Sequence, residues 1–162
     1  MDSLTLRDVT DDDLDLFFEW NRDPDAVRMA AFTSEDPSDR AVFDAHWVRV
    51  RSDPGITIAT ILLDGKPVGS VASFPDFGDP EVTYWIDRAQ WGKGIATRGL
   101  ALFLQQVDVR PLYGRAASDN AGSIRVLARN GFREIGRETN FAAGRGVETE
   151  ETIFVLEGGT TE

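Results

Sequence analysis

Two rhythms of apolar residues run along the chain. Alternating or β-rich runs occupy residues 4–9 (LTLRDV), 56–63 (ITIATILL), 67–74 (PVGSVASF) and 81–87 (EVTYWID). They predict strands, because successive side chains of a strand point to opposite faces. Asp64-Gly65 between the second and third runs predicts a tight hairpin, since both residues accept the positive φ such turns need. Elsewhere the spacing is helical. Thr10 followed by Asp13 predicts a capping-box start, with Leu14, Phe17 and Phe18 on one face. Phe43, His46, Trp47 and Val50 share a face of a second helix that stops before Pro54-Gly55. Between these helices, residues 21–39 are rich in Asp, Pro and Ser and predict short helical pieces and loop.

The second half changes rhythm more often. Residues 75–80 predict a loop, and a mostly apolar helix follows from about 95 to 107. Residues 112–118 predict a strand. Asn120 starts a further helix with Ile124, Leu127 and Ala128 facing inward, and Gly131-Phe132 ends it. Residues 133–140 and 149–156 predict a last strand pair. Strand runs first, then strand–helix–strand–helix–strand, predict a mixed α/β sheet with helices on both faces. The unit across 81–118 is expected to be a right-handed crossover joining parallel strands. Residues 1–157 are expected to form one domain and 158–162 a frayed tail.

Composition narrows the function. No cysteine is present among the 162 residues, which excludes a disulfide framework, a cysteine-based zinc site and a cysteine nucleophile. The first thirty residues carry no apolar run, and no segment approaches the roughly 20 apolar residues of a membrane span. A soluble, cytoplasmic protein is expected, with no membrane partner and no metal. Asp and Glu exceed Lys and Arg by 28 to 17, a net charge of -11. That field repels phosphate backbones, so a nucleic-acid partner is not expected, and an anionic ligand must bind through local dipoles.

One segment offers such dipoles. In YWIDRAQWGKGIAT, residues 84–97, a strand runs into Gly92-Lys93-Gly94 and then into a helix. Glycine keeps Cβ atoms away from a ligand, and the free N–H groups at a helix start form an anion site. Neither GxxxxGK[ST] nor GxGxxG fits, and a glycine-x-glycine turn alone serves equally well as an unoccupied tight turn. Downstream, Asn120-x-x-Ser123 opens the next helix and Asn130-Gly131-Phe132 closes it.

WGKGIAT, NxxS and NGF in this order and separation closely resemble the GCN5-related N-acetyltransferase superfamily, nearest its ribosomal-protein alanine acetyltransferases. The resemblance covers nearly the whole chain and is specific across 81–132. It implies a splayed, mostly antiparallel sheet of about seven strands, with acetyl-CoA as co-substrate between the 81–87 and 112–118 strands. It further implies that backbone groups near Trp85, Ile86 and Asp87 hold the pantetheine amides and thioester carbonyl. Amides of Gly92, Lys93, Gly94, Ile95, Ala96 and Thr97 would wrap the pyrophosphate, with Trp91 also in the cofactor site. Asn120 would touch the pantetheine arm, and Arg129 either reaches the nucleotide or faces solvent.

The chain departs from the usual pattern in two places. The superfamily motif often has Arg or Gln three residues before the first glycine of its core. With that core on Gly94-Ile95-Ala96, Trp91 stands there and Gln90 one step earlier. Many members also carry a tyrosine acid seven residues after the Asn, where this chain has Leu127. Ser123 is the nearest replacement, as hydrogen-bond or proton donor to the leaving sulfur, although a helix-start role also fits it. For the amine proton, Glu81 at the strand start competes with water and with His46, the only histidine, whose apolar face favours a core role. Tyr84 faces a side that alternation leaves open, and Trp20, Trp47, Trp85 and Trp91 read as packing residues. Two functions stand: N-acetylation of a primary amine (a protein N-terminus or a small molecule) by direct attack in a ternary complex, or a non-catalytic acyl-CoA-binding sensor. The chain is expected to be a monomer or homodimer.

Overall fold

The structure, a computed structural model, describes residues 3–76 and 79–158. Seven strands form one sheet in the order β1-β2-β3-β4-β5-β7-β6: β1 (Leu4–Arg7), β2 (Thr57–Leu63), β3 (Lys66–Asp76), β4 (Asp79–Ile86), β5 (Leu112–Ala117), β6 (Arg133–Ala142) and β7 (Val147–Leu156). Every neighbouring pair is antiparallel except β4 and β5. Helices α1 (Asp11–Asn21), α2 (Pro24–Ala30) and α3 (Arg40–Ser52) precede β2, α4 (Ile95–Gln106) joins β4 to β5, and α5 (Ala121–Arg129) follows β5. The Asp64-Gly65 hairpin forms with φ of 51° and 83°.

The helices cover both faces of the sheet. On β2, Ile61 is buried beneath Gly99 of α4, while the adjacent Thr60 points the other way and donates to Asp13 of α1. The principal core lies on the α4–α5 face, where Ile61, Val71, Val82, Ile86, Leu100, Phe103, Leu112, Leu127 and Phe154 pack together. Close approach of α5 to the sheet depends on Gly114, where a Cβ would stand 2.8 Å from Leu127 Cδ2. The opposite face is aromatic: Phe17 stacks against Trp20 and Trp47, and Phe18 against Phe43. Asp13, 1% exposed, also accepts from the Arg7 guanidinium and from the Thr10 N–H, the latter closing the start of α1.

Some expectations need correction. Residues 75, 76, 79 and 80 are paired strand ends rather than free loop. Pro75 pairs with Pro80 and Asp76 with Asp79, and only 77 and 78 lie outside the described residues. Antiparallel register carried along β3 and β4 takes both prolines into the ladder. The last strand pair is likewise longer, reaching Ala142 and starting at Val147. His46 is exposed and not a core histidine: it lies at the edge of the α3 stripe, with its ring edge-on to Trp47. Partial burial and the Arg49 charge lower its pKa. Ala128 is exposed as well, because the stripe α5 buries centres on Leu127, flanked by Ile124 and Val126. Of the expected tail, 159–162 lie outside the described residues.

Candidate active site

The sheet opens at its centre. β4 and β5 share only two paired positions, Glu81 with Tyr113 and Val82 with Gly114. Beyond them each strand stays bonded on its outer side, β4 to β3 as far as Ile86 and β5 to β7 as far as Ala117. The inner edges of 83–86 and 115–117 therefore part, leaving backbone groups that face a gap rather than a ladder.

The end of β4 leads straight into the anion site. Asp87 accepts from the Ala89 N–H at the start of a single 3₁₀ turn, Arg88–Gln90. Trp91 follows, 40% exposed, and its indole N–H donates to the Ile86 carbonyl at 3.0 Å. Trp91 is thus a strut between loop and strand, not a core residue. Lys93 Nζ donates to Gln90 Oε1. Gly92 and Gly94 adopt φ of 82° and 75°, and a Cβ on either would meet nothing within 4 Å. Gly94 provides no side-chain cap for α4, and the first bond of that helix runs from the Arg98 N–H to the Gly94 carbonyl. The N–H groups of Ile95, Ala96 and Thr97 precede that bond, so they are the orphan donors of a helix start.

Asn130 fixes α5 against this loop, donating to the Thr97 carbonyl at 3.2 Å and to Val126 O at 3.0 Å. This is the structural meaning of the Asn-Gly-Phe signature: Asn130 ties two helices, Gly131 turns at φ 89°, and Phe132 re-enters the core. Arg129 is exposed one residue from the tie.

At its other end α5 starts beside the gap. Asn120 Oδ1 caps the helix by accepting from the Ser123 N–H, while Nδ2 donates to Met29 O at the end of α2. The expected pantetheine contact therefore has to share a side chain already used at both ends. The Ser123 hydroxyl is 2.6 Å from the Tyr84 hydroxyl, which also lies 3.2 Å from Ser123 O. This bond reaches from β4 to α5 across the opening. Burial pushes the Tyr84 phenol up to about 12, although the Ser123 hydrogen bond pulls it down.

Glu81 and Ser123 are not brought together. Val82, Tyr84 and Ile86 point to the α4–α5 face, so Glu81, Thr83 and Trp85 point to the other. There Arg115 lies 3.8 Å from Glu81 and closer to Glu138 and Glu151, at 2.6 and 2.9 Å. The partly buried Trp85 has an indole nitrogen with no hydrogen-bond partner among the described residues. Sequence reasoning missed Tyr84 as the partner of Ser123 and Arg115 as the counter-ion of Glu81. The alternation of Val82, Tyr84 and Ile86 carried the first signal, but Trp85 gave the opposite face an equally apolar look. Among the described residues no His, Asp and Glu cluster could hold a metal ion, and no helix is long and apolar enough to cross a membrane.

A family model described as an acetyltransferase (GNAT) domain matches residues 3–133, and the chain belongs to that family. Solved structures agree in fold. RimJ of Mycobacterium smegmatis, in complex with CoA-disulfide, is 22% identical over 95% of this chain and 81% of its own, with a TM-score of 0.77. The ribosomal-protein-S5-alanine acetyltransferase of Vibrio fischeri is 16% identical over 98% and 95%, with a TM-score of 0.75. AAC(6')-Ib, in complex with ribostamycin and coenzyme A, is 19% identical over 94% and 93%, with a TM-score of 0.73. No curated protein sequence matches the chain.

Proposed function

We propose that residues 1–157 form one catalytic domain that transfers an acetyl group from acetyl-CoA to a primary amine by direct attack. The carrying observation is the β4–β5 gap opening beside the free N–H groups of Ile95, Ala96 and Thr97, with Gly92 and Gly94 leaving the approach clear. Those donors suit a pyrophosphate, and Arg129 beside the Asn130 tie suits the nucleotide. Backbone groups of 84–87 along the parted edge suit the pantetheine amides and an oxyanion. Ile86 O meets Trp91 through one lone pair and keeps the other.

The two faces of the split divide the chemistry. The amine approaches from the Glu81 face, its nitrogen bonds to the carbonyl carbon, and the carbon–sulfur bond breaks toward Ser123. Glu81 takes the amine proton through water, with Arg115 as its fixed counter-ion, and Ser123 donates to the departing sulfur. The acceptor is a protein N-terminus or a small-molecule amine, and a mass-spectrometric screen of pooled amines and peptides with acetyl-CoA identifies it.

Acetyl-CoA at a hundredfold excess over its Kd adds about 2.7 kcal/mol, a rise in Tm of roughly 5–10 °C for a domain of this size. A folded protein whose Tm does not move at millimolar acetyl-CoA sinks the proposal. Glu81→Gln is expected to lower kcat, spare acetyl-CoA affinity and alter the acidic limb of the pH–rate profile, where the base must be deprotonated. An unaltered profile leaves Glu81 as a structural partner of Arg115.

A further inference from the structure

We propose that Tyr84 is the positioning residue for the Ser123 hydroxyl, forming with it a two-member switch that turns the serine proton toward the leaving sulfur. The proposal rests on the placing of Ser123 beside that sulfur. It starts from proton counting: a phenol and a serine hydroxyl carry one proton each. Three oxygens meet here, Tyr84 Oη, Ser123 Oγ and Ser123 O, at 2.6 and 3.2 Å from the phenol oxygen.

Two arrangements satisfy them. In the closed one, Ser123 donates to Tyr84 and Tyr84 donates to Ser123 O, so both protons are used within the pair. In the other, Tyr84 donates to Ser123 Oγ at the shorter distance, and the serine proton is released to point into the gap. Negative charge growing on sulfur selects the second arrangement, because only that one offers it a donor. The change moves two hydroxyl rotors and no backbone, so it needs little reorganisation.

The surroundings support this role. Tyr84 sits on β4 just past the last β4–β5 pair, so its ring projects where the strands have begun to part. Held in the ionised-resistant state described above, it remains a donor throughout the working pH range. Leu127, at the position where a tyrosine acid is common, is 1% exposed and packed on Gly114, so it offers no donor. Without Tyr84 the serine is free to turn its proton away from the gap, toward the carbonyl of the N-cap residue Asn120 three residues back, as serines in helices do.

The test reads the hydrogen bond at sulfur directly, with CoA as the probe and no acceptor needed. The thiol pKa of bound CoA is measured by thiolate ultraviolet absorbance, with the apoprotein subtracted. Tyr84→Phe is expected to raise that pKa by about half a unit to one unit, because a donor to the charged form has been lost. Ser123→Ala should raise it by at least as much, and the double variant no further than Ser123→Ala alone. An unchanged pKa in Tyr84→Phe, or a Tyr84 effect that persists in full on Ser123→Ala, overturns the switch. If Ser123→Ala itself leaves the thiol unchanged, the assignment of Ser123 to the sulfur falls and the switch with it. Should Tyr84→Phe fold poorly, 3-fluorotyrosine at position 84 makes a stronger donor in the intact fold and should lower the thiol pKa instead. No lowering there counts against the switch.

Discussion

Gly94→Asp is expected to weaken acetyl-CoA binding by about a thousandfold while the protein stays folded. The substituted side chain has room, since a Cβ at Gly94 meets nothing within 4 Å. At φ 75° and ψ 12° the backbone is left-handed, which costs a non-glycine residue about 1 kcal/mol, and Asp is among the residues that tolerate it best. As an N-cap Asp gains only a few tenths of a kcal/mol over Gly, so the net cost stays near the strain of about 1 kcal/mol, small enough for the domain to remain folded. The same side chain destroys the site, because its carboxylate places a negative charge beside the phosphate oxygens. Two like charges about 4 Å apart near a protein surface repel by about 4 kcal/mol, on the order of a thousandfold in Kd. Gly94→Ala adds the backbone strain without the charge and should lose far less. Titration calorimetry with acetyl-CoA checks both variants, and wild-type affinity in a folded Gly94→Asp protein would place the pyrophosphate elsewhere.

Asp13→Ala is expected to be the most destabilising of these changes. The Asp13 carboxylate is buried and accepts from Arg7, Thr10 N and Thr60, joining β1, the start of α1 and β2. Removing it leaves the fully buried Thr60 hydroxyl without its acceptor and takes from the Arg7 guanidinium its carboxylate partner, leaving it the Asp8 carbonyl. Breaking a buried pair costs about 3–5 kcal/mol, and the partial exposure of Arg7 puts this case near the lower end. For a domain of this size a loss of about 3 kcal/mol lowers Tm by roughly 6–12 °C. Burial alone would raise the Asp13 pKa, but hydrogen bonds from Arg7, Thr10 and Thr60 and the Arg7 charge outweigh it and hold the carboxyl at about 2, below its ordinary 3.8. A carboxyl with a depressed folded-state pKa stabilises the protein fully above the unfolded value. That contribution, roughly 2 kcal/mol, is lost as pH falls from about 4 through 2. Chemical denaturation of wild type and Asp13→Ala across that window should show the two curves converging toward low pH. Parallel curves, or an unchanged Tm, refute the assignment.

Asp13 also shows where sequence reading stops. Thr10 and Asp13 announced the start of α1, and Asp13 does accept from the Thr10 N–H three residues away. That the same carboxylate also holds Thr60, 47 residues on, was not legible, because no local rule sets which strand packs over a helix start. Glu81 and Ser123 divide in the same way. Their positions in a strand start and a first helical turn followed from the chain, but the Arg115 ion pair and the Tyr84 bond depend on register between distant segments. His46 failed for a related reason. Helical spacing gives a stripe, yet the width of stripe that is covered depends on the neighbouring helix, and α1 covers Trp47 without reaching His46.

What the chain by itself determined is what a few neighbouring residues can enforce: the Asp64-Gly65 turn, the Asn120 cap, the left-handed Gly94 before α4, and the strand and helix periods between them. Their energies come from backbone sterics and hydrogen bonds within one turn, so they survive any arrangement of the rest. Only the tertiary structure decided that β4 and β5 pair at two positions and then part, that Tyr84 spans the opening to Ser123, and that Glu81 lies on the opposite face. Those features depend on how strands twist and pack against α4 and α5, and an alternating sequence is compatible with either face until a core chooses one.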